Sequence, residues 1–422
     1  MDIQVTALGA LIGLAVAIVM ILRKILPVYA LLTGAVLGGL IGGASMTETV
    51  DLMIEGVGDI ASAILRILAA GVLAGILIES GGATVIAKKI VGWVGHARAL
   101  LALALATMLL TGVGVFIDIA VITVAPIALV IAREANLSRM AILLAMIGGG
   151  KAGNIMSPNP NNIAVADAFG VPLTSVMAAG ILPAIFGIAV TYLLAKRLSV
   201  KGTMPINDET ELAAENHSIR FSAALVAPLT AIVLLALRPL FGIEIDPMVA
   251  LPLGGLLGAL AMGQLTKALP YMVAGLNKMA PIAVLLIGTG AIAGIISNSS
   301  VSVVLVDSLE ALGLPSFALA PASGIFMGAA TASTTAGAAV ASTVFSSTLL
   351  ELGVSALAGA AMVSAGATVV DHLPHGSFFH ATAGSVNMDI QERLKLMPYE
   401  SAVGLVLAFI STLIFGIFQW FG

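Results

Sequence analysis

The sequence predicts an all-α polytopic membrane protein made of two inverted repeats, each with about five spans, a re-entrant hairpin and a broken helix. Three observations predict it. Of 422 residues, 59% are hydrophobic and 9% charged, where a soluble domain has roughly a quarter of its residues charged. Apolar runs long enough to cross a bilayer, about 20 residues as a helix, recur from end to end. The same succession of features then occurs twice, and duplication with paired broken helices points to a secondary transporter and to its binding site. Scarce aromatics (5%) and 46 glycines suit helices that approach closely in lipid, and no β-barrel alternation is present.

Taken in order, residues from about 5 to 22 form a retained first span, because Met1-Asp2-Ile3-Gln4 lacks the basic n-region of a signal peptide. Arg23-Lys24 closes it, and a second span follows from about 25 to 43. An acidic connection (Glu48, Asp51, Glu55, Asp59) leads to a third span, about 60 to 79, and an amphipathic stretch with Lys88 and Lys89. The run from about 99 to 132 is too long for one crossing and is interrupted by Thr111-Gly112-Val113-Gly114 and Asp118, as a hairpin that enters and returns. Gly148 to Asn162 then puts three consecutive glycines, a lysine, two prolines and four asparagines where a helix crosses lipid. Lipid cannot satisfy free backbone groups, so a break there must line a cavity or be buried in protein. A span from about 175 to 195 ends the first half.

Residues 1–198 are expected to be the first inverted repeat, 199–220 a hydrophilic cytoplasmic linker and 221–422 the second repeat. In the second half the long interrupted run returns at about 316 to 350, and the broken helix returns from Gly366 to Ser377. Five crossings per half invert the second against the first. With Arg23-Lys24 in the cytoplasm, most Lys and Arg, including Lys278 and Arg393, fall inside, while Glu48 to Asp59 and Glu244 to Asp246 fall outside. Arg66 and Arg238 are the exceptions.

The ionisable and polar residues of these interruptions are the candidate site. Asp118 at the first hairpin tip is a candidate for cation coupling, because a charge at the bilayer centre is expensive to keep without a purpose. Lys151 can meet a substrate carboxylate or neutralise Asp118. Asn154, Ser157, Asn159, Asn161 and Asn162 offer amides and a hydroxyl suited to hydroxyls and carboxylates. Thr331, Ser333, Thr334 and Thr335 form a hydroxyl cluster at the second tip. In the second break, His375 and Ser377 are candidate substrate contacts, and Asp371 and His372 candidate coupling groups, since histidine changes charge near neutral pH.

What is missing narrows the class. There is no cysteine for a disulfide or thiolate metal site, and no basic stripe for nucleic acid. Gly148-Gly149-Gly150-Lys151 lacks the glycine spacing and the following Ser or Thr of a Walker motif. The histidines near Asp371 do not have zinc-site spacing. No enzyme, cofactor or metal is expected.

These motifs resemble the gluconate permease family of organic-anion symporters, within the larger ion-transporter superfamily. The likeness lies in Ala74 to Ala83, Phe116-Ile117-Asp118, the Gly148 to Asn162 stretch, Ala330 to Gly337, and Gly366-Ala367-Thr368 with Asp371-His372 and Gly376-Ser377-Phe378. Their common order carries it. The chain departs from the family pattern with Asp118 where a glutamate is common, and with Lys151 and Pro158-Asn159-Pro160-Asn161-Asn162 where a proline- and histidine-rich loop is common. The resemblance implies a multi-pass inner-membrane symporter of a small organic anion, a sugar acid such as gluconate or a related hydroxy-carboxylate, driven by protons. It further implies a homodimer in membrane lipid and elevator-like alternating access. Sodium-coupled dicarboxylate uptake is the rival within transport, and a channel the rival from another class.

Overall fold

The computed structural model describes residues 5–94, 98–205, 219–301, 303, 304, 311, 315–374 and 376–420. Regular structure among them is helical, apart from one isolated bridge between Val5 and Ser299. The first half contains α1 (Ala7–Leu22), α2 (Pro27–Ile41), α3 (Met46–Asp59), α4 (Ala61–Glu79) and α5 (Gly82–Val94). It continues with α6 (Ala99–Gly112), α7 (Ile117–Glu134), α8 (Arg139–Asn154), α9 (Pro160–Ala168) and α10 (Leu173–Leu198). The second half contains α11 (Phe221–Phe241), α12 (Pro247–Ala261), α13 (Ala268–Ser297), α14 (Leu319–Thr331), α15 (Thr334–Glu351), α16 (Ala356–Gly366), α17 (Ser377–Ser385) and α18 (Ile390–Ser411). Helices at 61–79, 173–198, 221–238, 265–297 and 390–417 are long and apolar enough to cross a membrane.

Helix pairing repeats between the halves. α1 packs on α2 as α11 packs on α12, and α2 lies against α13 as α12 lies against α4. The arms α6 and α7 pair with each other and with α8, as α14 and α15 pair with each other and with α16. α7 touches α17, and α15 touches α9. The two central contacts, α4 with α13 and α10 with α18, each join a helix to its own counterpart. One unit therefore consists of α1 to α4 with α11 to α13, and a second of α6 to α10 with α14 to α18.

Lipid gives apolar side chains no reason to leave it for one another, so close packing of small residues must hold the helices together. A Cβ on Gly13 or on Gly34 would strike the other's carbonyl oxygen, which lets α1 and α2 touch backbone to backbone. Large apolar side chains such as Ile185, Leu193, Val233, Leu257 and Leu269 point outward, where lipid is the compatible solvent.

Three expectations change. The acidic connection is a helix, α3, opened by a capping box in which the Ser45 hydroxyl and the Glu48 amide, and the Glu48 carboxylate and the Ser45 amide, pair reciprocally. The triple glycine does not break α8, which runs on to Asn154, leaving only Ile155 to Asn159 between α8 and α9. Instead, a Cβ on Gly148 would meet Thr191, one on Gly149 the Ala104 carbonyl, and one on Gly150 the Ile117 side chain. The glycines let α10, α6 and α7 close on α8. Finally, two of the basic residues counted on the cytoplasmic side lie within helices. Arg393 is fully buried on α18, and Lys278 sits within α13.

Candidate functional site

The first break is tied together by its own polar side chains. The Ser157 hydroxyl donates to the Asn154 carbonyl (2.7 Å), and Asn162 Nδ2 donates to the carbonyls of Asn154 (3.1 Å) and Ser157 (2.8 Å). Asn159 Nδ2 faces the Asn154 side-chain oxygen (2.7 Å) and the carbonyls of Thr111 (3.3 Å) and Val115 (3.4 Å) at the end of the first hairpin arm. Asn162 Oδ1 accepts from Ser364 of α16 (2.8 Å) and from Asn161 Nδ2 (3.2 Å). These amides satisfy backbone groups that the interruption would otherwise leave unpaired. Asn159 Oδ1 and Asn161 Oδ1 are buried without a partner among the described residues.

The second break, residues 367–376, gathers charge. Lys151, one turn before the first break, extends its ammonium to Asp371 Oδ1 (2.5 Å) and to the Thr368 carbonyl, and lies 3.3 Å from His372 Nδ1. Thr334 at the second tip donates to the other carboxylate oxygen of Asp371. His372 Nδ1 is 3.0 Å from Asp371 Oδ1 and 3.7 Å from Glu400 Oε2. Its Nε2 is 3.1 Å from both the Met397 carbonyl and the Ser401 hydroxyl of α18. Glu400 is in turn paired with Arg393, whose guanidinium also faces Thr382 (3.3 Å) and stacks on the Phe379 ring (4.9 Å). Lys151, Asp371, His372, Glu400 and Arg393 are all buried. An ion in such a place must be paired and hydrogen-bonded, and Lys151, Asp371, Glu400 and Arg393 each are.

A cavity of about 670 Å³ opens beside this cluster. Both hairpin tips, Asn154, Asp371, Ser377, the start of α2 and the middle of α13 line it, so it lies between the two units. The cation that lines it is Lys278, held 3.0 Å from Glu79 and only partly exposed.

The structure thus brings Asp118, Asn154, Thr331, Ser333, Thr334, Thr335, Asp371 and Ser377 to one cavity. Asp118 stands in the first turn of α7 and accepts from the Ile119 amide (2.9 Å), and it is not the partner of Lys151. Lys151 and His372 lie behind the cavity wall, and Ser157, Asn159, Asn161 and Asn162 are enclosed in the first break. The Thr331 hydroxyl turns back to the Met327 carbonyl (2.7 Å), and Ser333 caps α15 through the Ala336 amide (3.3 Å). The hydroxyls of Thr335 and Ser377 make no hydrogen bond among the described residues, and both residues line the cavity. His375 lies outside the described residues. Sequence reasoning missed Lys278, Glu400 and Arg393. Glu400 follows Arg393 by seven positions, two turns along one face of an apolar helix, and that spacing was the signal.

A family model described as GntP family permease matches residues 5–253, and one described as Na+-H+ antiporter family matches residues 222–312. A transporter of Haemophilus influenzae is 64% identical over 416 residues, 99% of each chain. A gluconate permease of Pseudomonas aeruginosa is 28% identical over 181 residues, 42% of this chain and 40% of its own. The crystal structure of the YdaH transporter of Alcanivorax borkumensis shares the fold, with a TM-score of 0.60 at 17% identity over 89% of this chain and 88% of that one. With more than half of its length matched by the first of these models, the chain belongs to the GntP family of membrane permeases.

Proposed function

We propose that this transporter imports a small organic anion, a sugar acid such as gluconate or a related hydroxy-carboxylate, together with protons across the inner membrane. The observation that carries the reading is the cavity lined by both hairpin tips, by Asn154 at the end of α8 and by Asp371 of the second break, which sets carboxylates, amides and hydroxyls among apolar side chains. Hydroxyls of Thr335 and Ser377 suit a polyhydroxylated ligand, and Lys278 suits its carboxylate. Asp118, Asp371 and His372 are the groups able to take up the coupling proton. In this reading the two hairpins are re-entrant, the halves are inverted across the bilayer, and the hairpin unit rides past the α1–α4 and α11–α13 unit of a homodimer, which exposes the cavity to each side in turn. The antiporter-family match at residues 222–312 keeps sodium as the alternative coupling ion. Uptake by proteoliposomes of a panel of sugar acids and dicarboxylates, with pH and sodium gradients imposed separately, tests this. Sugar-acid accumulation driven by an inward proton gradient is expected. If neither gradient drives uptake of any carboxylate, symport is refuted, and sodium-driven dicarboxylate uptake would replace the proton reading.

A further inference from the structure

The buried cluster behind the cavity contains one group that can change charge and keep its hydrogen bonds. Nε2 of His372 faces the Met397 carbonyl, which can only accept, and the Ser401 hydroxyl, which can accept or donate, so a hydrogen on Nε2 is the arrangement that suits both neighbours. Exchange of a proton is left to Nδ1. There the ring meets an acceptor, Asp371 Oδ1 at 3.0 Å, and a donor, Lys151 Nζ at 3.3 Å. A protonated Nδ1 donates to Asp371, and a bare Nδ1 accepts from Lys151. Neither state leaves Nδ1 buried without a partner.

The surrounding charges are already balanced. Asp371 is matched by Lys151, and Glu400 by Arg393. A neutral His372 therefore leaves the cluster neutral, and an imidazolium gives it one uncompensated positive charge inside the protein. An anion alone in the cavity, against Asp371 and Thr334, creates the opposite imbalance. Either charge alone is costly in a low-dielectric interior, whereas both together are not. Two ligands that relieve each other's cost bind with positive coupling, and the coupling is reciprocal.

We propose that the coupling proton is seated on His372 Nδ1, between the carboxylates of Asp371 and Glu400, and that its charge cancels that of the anion, so that a monocarboxylate crosses with one proton and no net charge. Glu400 is a positioning residue in this scheme. It does not face the cavity, and it acts by favouring the imidazolium from the far side of the ring. The inference rests on the proton-symport reading above and adds to it the seat and the count.

The test uses the full chain in proteoliposomes with radiolabelled gluconate. A pH gradient and a potassium–valinomycin potential are applied separately, and charge displacement is recorded on a solid-supported membrane. In the wild type, accumulation driven by the pH gradient, indifference to the potential and no charge displacement are expected. Failure of the pH gradient itself sinks the symport reading. Accumulation driven by the potential, with the pH response intact, sinks only this inference. His372→Gln should retain gluconate exchange, lose pH-driven accumulation and become sensitive to the potential. A His372→Gln protein that still accumulates gluconate under the pH gradient and stays indifferent to the potential overturns the proposal and returns the proton seat to the carboxylates that line the cavity. Glu400→Gln, which still accepts from Arg393, should shift the pH midpoint of exchange toward acid with the maximal exchange rate retained. An unshifted midpoint removes Glu400 from the scheme.

Discussion

The two helix breaks occupy equivalent places in the two repeats and are built in opposite ways. The first is five residues long, carries no formal charge, and is closed by Asn159 and by Asn162 of α9, both turned onto backbone carbonyls. The second is ten residues long, holds Asp371 and His372, and borders the cavity. The first break lends the second its nearest cation, because Lys151 of α8 crosses to Asp371. The same kind of interruption thus occurs twice. One is closed largely by the side chains in and beside it, and the other is the place where charge is held. If this division is real, variants in the two breaks should fail in different ways.

The largest effect is expected where the breaks meet. Lys151→Met leaves the Asp371 carboxylate buried with its ammonium gone, and breaking a buried ion pair costs about 3–5 kcal/mol. The thermal unfolding midpoint in detergent should fall steeply and uptake should vanish. Lys151→Met combined with Asp371→Leu should recover most of the midpoint and none of the uptake. A double variant no more stable than the single would mean that the pair is not what holds the breaks together.

A smaller loss is expected from the first break alone. Asn162→Ala strips a donor from the carbonyls of Asn154 and Ser157 and an acceptor from Ser364, and an orphaned buried polar group costs about 1–3 kcal/mol. Thermal unfolding reads that loss. The pH profile of the remaining uptake should match that of the wild type. An altered profile would make the first break part of the coupling and erase the contrast.

Much of this architecture is legible in the sequence because lipid punishes unpaired backbone so heavily that interruptions stand out. The hairpin tips and the second break lie where glycines, hydroxyls and charges interrupt apolar runs, and the helices end there. The triple glycine misleads for the same reason. Glycine is read as a breaker in water, but beside Ala104, Ile117 and Thr191 it is what lets four helices close, and only the neighbours reveal that. Pairing is the other blind spot. Nothing along the chain says that Lys151 chooses Asp371, 220 positions away, over Asp118. The positive-inside count uses Lys278 and Arg393 as markers of the cytoplasmic side because it assumes that a basic residue seeks water, and Arg393 has instead found Glu400.

Lys278 belongs to α13 and to neither break, so it tests whether the cavity, as distinct from the charged cluster, recognises the anion. Lys278→Gln should raise the KM for the transported anion about tenfold, equivalent to about 1.4 kcal/mol, with little change in unfolding. Lys278→Arg should restore most of the affinity. An unchanged KM in Lys278→Gln would remove this cation from recognition and leave the hydroxyls of the second tip and second break to carry it.

The smallest effect concerns what steadies the first break from outside. Arg66 of α4 joins Asp167, at the far end of α9, to Asp246, which caps α12. Partial burial pushes the Asp246 carboxyl up, and the hydrogen bonds from Arg66 and the Met248 amide more than reverse this, so its pKa lies below the usual carboxylate value. A lowered folded-state pKa means that the contribution to stability is present above the ordinary carboxylate range and is lost as pH falls through the folded value. Both partners are partly exposed, which limits the contribution to below about 1 kcal/mol. Asp246→Asn should therefore lower the unfolding midpoint slightly at neutral pH and not at all in acid, where the wild type has already lost the charge. Asn also accepts from the Met248 amide, so the cap is kept, and a gap between the two proteins that persists in acid would show that the substitution acts by something other than the loss of the charge facing Arg66.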